Sequence, residues 1–370
     1  MDTSSELIHS LSPVLLVSVL GASVITVGFI EGVAEGTAMV TKVFSGALSD
    51  YFRKRKTLIV LGYTLAALTK PLFPLARSAS WILAARFTDR IGKGIRDAPR
   101  DALVADLTAQ TQRGAAYGLR QALDSLGAVA GPVLAVLLML HFSGQIRAAL
   151  WVAVVPAALA VLVLMVLVRE PEPTHAIARE RLSWREAKRL SARYWIVVAV
   201  GAVFTAARFS DAFLVLRARD VGLSPSYAPM IMVVMNCFYS AGSYPAGAAA
   251  DRIGSRTLLI IGLSFLIAAD LVLGLGRSWV PIFAGGALWG LHMALTQGVF
   301  SKIVADSVPA ELRGTGFGIF DLVRGGAFFA ANTVAGAWWK TVGPSAAFFS
   351  AAAFATIAAI GLSAATRPRR

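Results

Sequence analysis

The feature that most narrows the fold is a series of apolar runs long enough to cross a bilayer. Residues 148–168 (AALWVAVVPAALAVLVLMVLV) carry no charge, and neither do 227–250, 278–301 and 343–366. A helix crosses the hydrocarbon layer in roughly 20 residues. Other runs keep that length with single ionisable groups inside them. The spans read 5–20, 24–49, 57–76, 80–103, 115–140, 148–168, 194–216, 226–250, 257–275, 279–303, 314–338 and 344–364. Backbone groups in lipid must be satisfied within their own segment, so each span is expected to be helical. The expected class is an all-α polytopic membrane protein with twelve transmembrane helices. Composition agrees: 56% of the 370 residues are hydrophobic and 15% charged, against about 25% charged in soluble domains. A soluble enzyme, a secreted disulfide scaffold and a disordered tail are excluded. Cys237 is the sole cysteine, which excludes a disulfide framework or a cysteine metal cluster.

The formal net charge of +14 is explained by loop topology rather than by nucleic acid. Loops on one side, with the connector and the tail, hold twenty Lys and Arg residues, including Arg53, Lys54, Arg55, Lys56, Arg252 and Arg256; the opposite loops hold six. The positive-inside bias then predicts an inner-membrane protein with both termini and the connector in the cytoplasm. The connector, 169–193, with Trp184 and Leu190 among its basic residues, reads as an amphipathic segment on the membrane surface. The predicted domains are 1–168, a linker at 169–193, and 194–370.

The second constraint is an internal repeat. Val104-Ala-Asp106 recurs as Val304-Ala-Asp306, and Arg113-Gly114-x-x-Tyr117-Gly118 recurs as Arg313-Gly314-x-x-Phe317-Gly318. Gly46-x-x-x-Asp50 recurs as Gly247-x-x-x-Asp251. Two pseudo-symmetric six-helix bundles in the same sense follow, an arrangement that places a site between repeats. Gly46-Ala-Leu-Ser-Asp50 with its basic loop, and Gly247-Ala-Ala-Ala-Asp251-Arg252, resemble the loop signature of the major facilitator superfamily. Gly118-x8-Gly127-x3-Gly131-Pro132 resembles the fifth-helix motif of its antiporter branch. The resemblance implies alternating access, with Gly46, Asp50, Gly247, Asp251 and Arg252 as gating loops holding the outward-open state. Gly118, Gly127, Gly131 and Pro132 then permit close packing and a bend in span five. The repeat also places the start of span seven's counterpart upstream of Met1, so span one is expected to be shortened by about eight residues, roughly two turns.

Span four places Arg86, Asp89, Arg90 and Lys93 where lipid should be. At about 2.5–3.5 kcal/mol for each ion at mid-membrane, four facing lipid would cost on the order of 10 kcal/mol. They must face water or one another, with Asp89 able to reach Lys93 one turn on. Glu31 and Glu35 lie one turn apart in span two; Arg120 and Asp124 form a pair in span five, and Asp321 and Arg324 in span eleven. Arg208 and Asp211 sit inside span seven, and His292 lies alone in span ten, beside an apolar wall that includes Trp289 and Phe300. These thirteen residues form the candidate substrate and proton path. Coupling to protons needs an acid that alternates between a desolvated and an arginine-paired environment, and Asp89 is the first candidate.

The expected function is a secondary transporter, with proton-coupled efflux of a small amphipathic solute as the leading reading. An importer or uniporter of a metabolite or metal chelate is the alternative; a membrane-embedded enzyme or sensor is the third. The chain has neither an HExxH zinc motif nor a phosphate-binding GxxxxGK[ST] loop. No cofactor and no resident metal are expected; the partners are the bilayer, a small-molecule substrate and protons, acting on a monomer.

Overall fold

The computed structural model describes residues 1–52, 55–108, 113–168, 190–308 and 313–364. The described residues form twelve spans: α1 (Asp2–Val14, continued by a π-helical turn at Leu15–Val19), α2 (Val24–Phe52), α3 (Arg55–Thr69, then Leu72–Leu75) and α4 (Ala79–Leu107). They continue with α5 (Arg113–His141), α6 (Ile146–Val152 and Val154–Leu167) and α7 (Ala192–Ala206 and Ala212–Asp220). The last are α8 (Met230–Ile253), α9 (Ser255–Leu275), α10 (Trp279–Ser307), α11 (Arg313–Thr341) and α12 (Pro344–Ala364). No strand occurs among the described residues. An even number of antiparallel spans puts both ends of the chain on one face, here called the terminal face; the other is the distal face. The connector, 169–189, lies outside the described residues, as do the side chains of Gly46, Asp50, Gly118, Gly247, Asp251 and Arg252.

Each long helix overruns its apolar run. α4 extends to Leu107 and α10 to Ser307, because hydropathy marks the lipid-facing length while the backbone ladder continues into the polar layer. α4 starts where the Ser78 side chain accepts from Trp81 N at 3.3 Å, and α7 where Ser191 accepts from Tyr194 N at 3.2 Å, both N-caps. α1 and its π turn run for 13 and 5 residues; α7 has 15 and 9, separated by a break at 207–211.

Packing repeats along with sequence. α1 packs on α5 as α7 does on α11, α2 on α4 as α8 on α10, and α3 on α4 as α9 on α10. Three contacts cross between the bundles: α2 with α11 and α5 with α8, which the repeat exchanges, and α1 with the distal piece of α7. Burial is inverted relative to a soluble protein. On α4, Phe87 is 42% exposed whereas Arg86 is 1% and Asp89 and Arg90 are 5%. Leu68, Leu126, Val166 and Ile360 are likewise exposed, the surface a hydrocarbon solvent covers. The ionic residues of α4 therefore face the interior.

Candidate functional site

The centre of the molecule is a buried polar network that begins on α4. Arg86 donates to Glu31 Oε2 of α2 and meets His9 Nδ1 of α1 at 3.1 Å. His9 itself stands 3.8 Å from Glu31. From the second bundle, Ser210 donates its hydroxyl to the same Glu31 oxygen at 3.1 Å. Ser210 N donates to Asn332 Oδ1 of α11 at 2.9 Å. Glu31 is thus a carboxylate held by both bundles, and its other oxygen, Oε1, is buried without a hydrogen-bond partner. By the repeat, Ser210 corresponds to His9, so symmetry-related positions converge on one acid.

Ser210 reaches Glu31 because α7 is broken. Residues 207–211 leave the helix and carry Arg208, Ser210 and Asp211. Irregular backbone at membrane depth is tolerated only where protein or a wet cavity satisfies it. Here Asn332 and the Ser210 hydroxyl, which accepts from Ala212 N at 3.2 Å, do so. Broken helices of this kind place ion- and substrate-binding groups at the midplane of transporters.

A seam of glycines lies alongside. Gly28, Gly32 and Gly36, one turn apart on α2, abut α11. A Cβ on Gly28 would lie 2.3 Å from Asn332 O, one on Gly32 3.0 Å from Phe329 Cα, and one on Gly36 3.5 Å from Gly325 O. Gly336 meets Ile25 Cα at 2.8 Å in the same way. The seam runs from the distal face to mid-helix and closes that end of the boundary. Asn236 of α8 adds a bond across a second crossing, donating to Ala128 O of α5 at 2.8 Å.

Two further acids of the first bundle, Asp89 and Glu35, are matched within it. Asp89 pairs with Lys70 of α3 at 2.7 Å, and Lys70 also donates to Ser5 Oγ at 3.0 Å. This corrects the expected Asp89–Lys93 pair: a buried lysine on the neighbouring helix has the shorter path to the carboxylate. Arg90 pairs with Glu35 at 3.3 Å. Toward the terminal face a lattice follows, in which Arg120 lies 3.3 Å from Asp124 and 3.1 Å from Asp101, and Arg100 lies 3.5 Å from Asp124. Arg324 lies 3.7 Å from Asp321 and donates to Thr205 Oγ1 at 3.2 Å.

His292 is fully buried. Its Nδ1 donates to Gly262 O at 2.8 Å and its ring stacks on Phe204 at 5.4 Å, a packing arrangement within the second bundle. Trp289 is also fully buried, against Phe209 at 5.6 Å. It therefore builds the bundle core instead of the cavity wall expected of it; the side chain of Phe300 lies outside the described residues. Gly131 lets α1 approach α5: a Cβ there would lie 2.5 Å from Glu6 Cβ and 2.8 Å from Leu7 N. Gly127 meets Asp2 Cβ similarly at 2.9 Å, and Pro132 sits inside an α5 that continues to His141. No cluster of metal-ligating side chains occurs among the described residues.

Sequence reasoning missed Lys70, His9, Ser210, Asn332 and the α2 seam. The seam had a signal in its Gly-x-x-x-Gly-x-x-x-Gly spacing; the others are single polar residues whose partners lie on other helices.

The comparisons agree with this geometry. The family model described as Major Facilitator Superfamily matches residues 2–217 and again 198–370. An uncharacterized MFS-type transporter of Methanocaldococcus jannaschii is 30% identical over 373 residues, covering 97% of this chain and 90% of that protein. The multidrug resistance protein MdtH of Proteus mirabilis is 34% identical over 135 residues, 36% of this chain and 33% of its own. Among solved structures, a bacterial homolog to the human lysosomal transporter Spinster, inward-facing and occupied, superposes with a TM-score of 0.76. It is 15% identical and aligned over 98% of this chain and 93% of that one. With two matched repeats, twelve helices and an ionic boundary between bundles, the chain belongs to the major facilitator superfamily and is a membrane transporter, not an enzyme.

Proposed function

We propose that this transporter exports a small amphipathic solute in exchange for protons, by alternating access, as a monomer in the inner membrane with both termini cytoplasmic. Residues 1–168 and 194–370 act as the two rocking bodies, and 169–193 as a cytoplasmic tether. The observation that carries the coupling is Glu31, an acid of the first bundle whose Oε2 accepts from Ser210 of the second. When the α2–α11 seam parts, that donor leaves and only the first-bundle contacts, Arg86 and His9, remain. A carboxyl whose hydrogen-bond donors change with conformation binds a proton differently in the two states. Asp89 lacks this property, since its partners, Lys70, Thr69 and Arg90, all belong to its own bundle. Support for export comes from the resemblance to MdtH over about a third of the chain and from the glycines of α5. The closed distal seam corresponds to an inward-facing state under this orientation.

The test is solute accumulation in everted membrane vesicles, with and without an acid-inside pH gradient. Accumulation should follow the gradient and collapse with a protonophore. Accumulation that ignores the gradient removes the coupling, and uptake only in right-side-out vesicles reverses the direction. Glu31→Gln should abolish gradient-driven movement by at least about tenfold, the loss of one coupled charge-assisted contact, while exchange of labelled for unlabelled solute persists. Gradient-driven transport retained in that variant would remove Glu31 from the account.

A further inference from the structure

The bond from Arg86 fixes which nitrogen of His9 carries its hydrogen. A single guanidinium nitrogen of Arg86 meets both His9 Nδ1, at 3.1 Å, and Glu31 Oε2. That nitrogen has two hydrogens and accepts none, so Nδ1 takes one of them and the carboxylate the other. His9 is therefore neutral, with its own hydrogen on Nε2. The 3.8 Å approach of Nδ1 to Glu31 Oε2 is then a lone pair facing a carboxylate, not an ion pair. A base and an acid stand side by side, kept from exchanging a proton by the one cation that holds both. Access separates them further: Glu31 is 0% exposed and Arg86 1%, whereas His9 keeps 8%.

We propose that His9 is the residue through which protons reach and leave Glu31. A proton taken from water by Nδ1 displaces Arg86, because a guanidinium cannot accept from an imidazolium and the two charges repel. Nδ1 then needs to close by only roughly 1 Å to donate to Glu31 Oε2. The N–H bond breaks, an O–H bond forms, and a neutral imidazole faces a neutral carboxyl. Nδ1 is again a lone pair, so the bond from Arg86 can re-form, and unloading runs the same steps backwards. The other charges around His9 are Arg90 and Glu35, themselves paired at 3.3 Å. Glu6 lies one turn back on α1, and Arg208 and Asp211 flank Ser210 on α7. Neither α5 over 125–140 nor α6 over 148–167 has an ionisable side chain. The inference rests on the proton-coupled reading of Glu31 and deepens it by naming the group that loads the acid.

The experiment uses the purified full-length protein, with the proton itself as the probe. After a jump from roughly pH 8 to pH 5, the range a histidine spans, time-resolved infrared absorption follows the carbonyl band of a protonated carboxyl. The Glu31 contribution is the part lost in Glu31→Gln. His9→Gln keeps an oxygen that accepts from Arg86 but carries no proton in this range, so it separates support from transfer. The Glu31 band should form at least about tenfold more slowly in His9→Gln than in wild type, the loss of a positioned proton donor. His141→Gln, at the exposed end of α5, should match wild type. Histidine-selective 15N spectra of wild type at pH 7, with the His9 signal assigned by its loss in His9→Gln, should show a neutral ring with hydrogen on Nε2. That measurement stands even where a variant folds poorly. An imidazolium or an Nδ1–H ring at rest, or a Glu31 band that forms as fast in His9→Gln as in wild type, overturns the proposal and leaves Glu31 as the coupling acid. A wild-type protein in which Glu31 takes up no proton across the jump overturns both.

Discussion

At the scale of single residues, the interior separates ions that serve the fold from ions that serve movement. Lys70 and Asp89 are both buried and matched, and breaking such a pair costs about 3–5 kcal/mol because the surviving charge is stranded. Asp89→Asn should therefore lower the thermal midpoint of detergent-solubilised protein sharply, and Lys70→Met should do the same. The double variant should lie closer to wild type than either single one, since apolar replacement of a whole buried pair is often neutral. Additive losses would show that the two side chains do not depend on each other. Asp270 of α9 is a second test: it is fully buried and neither carboxylate oxygen has a hydrogen-bond partner. Asp270→Leu should raise the midpoint by the equivalent of about 1–3 kcal/mol, the desolvation cost of an unsatisfied group; a drop would reveal an unrecognised role. The local ion patterns were readable from sequence, because Arg120 with Asp124 and Asp321 with Arg324 are one turn apart on one helix. Lys70 with Asp89 was not, because the choice of partner depends on how α3 lies against α4, which helical periodicity does not encode.

At the scale of elements, α2 is the helix whose composition matters most. Its three glycines bring backbone against backbone at α11, and Gly32 has Phe329 Cα only 3.0 Å from where a Cβ would stand. Gly32→Leu should thus prevent closure of the distal face. The expected readout is increased labelling, by a membrane-impermeant thiol reagent, of a cysteine placed at Ser210 in a background with Cys237 replaced, together with loss of net transport. Unchanged labelling would mean that the seam has slack. The twelve spans were legible from length and apolarity alone, as was their order, since lipid leaves the backbone few alternatives. The break in α7 was not: AARFSDA has neither proline nor glycine, and helix is lost there because Ser210 is engaged by Asn332 and Glu31, partners distant in sequence.

At the scale of the whole molecule, the sequence repeat foretold two bundles, and the packing pairs reproduce it. The repeat did not foretell asymmetry: the unbroken α1 and the broken α7 occupy equivalent places but present different groups to the boundary. Rocking can be tested directly, because Gly36 and Gly325 face each other with Gly36 Cα 3.5 Å from the Cβ position of Gly325, a separation compatible with the about 4.4–6.8 Å between Cα atoms in disulfides. With Cys237 replaced, Gly36→Cys with Gly325→Cys should cross-link on oxidation and stop transport, and reduction should restore it. Full transport by the oxidised double variant would show that these bundles need not separate at the seam.

The break in α7 has a mechanical corollary. Its distal piece, Ala212–Asp220, is buried from Ala212 to Ala218 and rests against α1, while Phe213 touches the position of Gly28. The piece is wedged between the bundles: it packs on α1 of the first and on α8 and α10 of the second, where Arg217 also donates to Leu273 O at 2.9 Å and Gly276 O at 2.7 Å, and the five-residue break at 207–211 joins it to the rest of α7. Under the proposed rocking motion any tilt of the hull must slide this wedge off α1, so the distal mouth opens only as far as the wedge lets go.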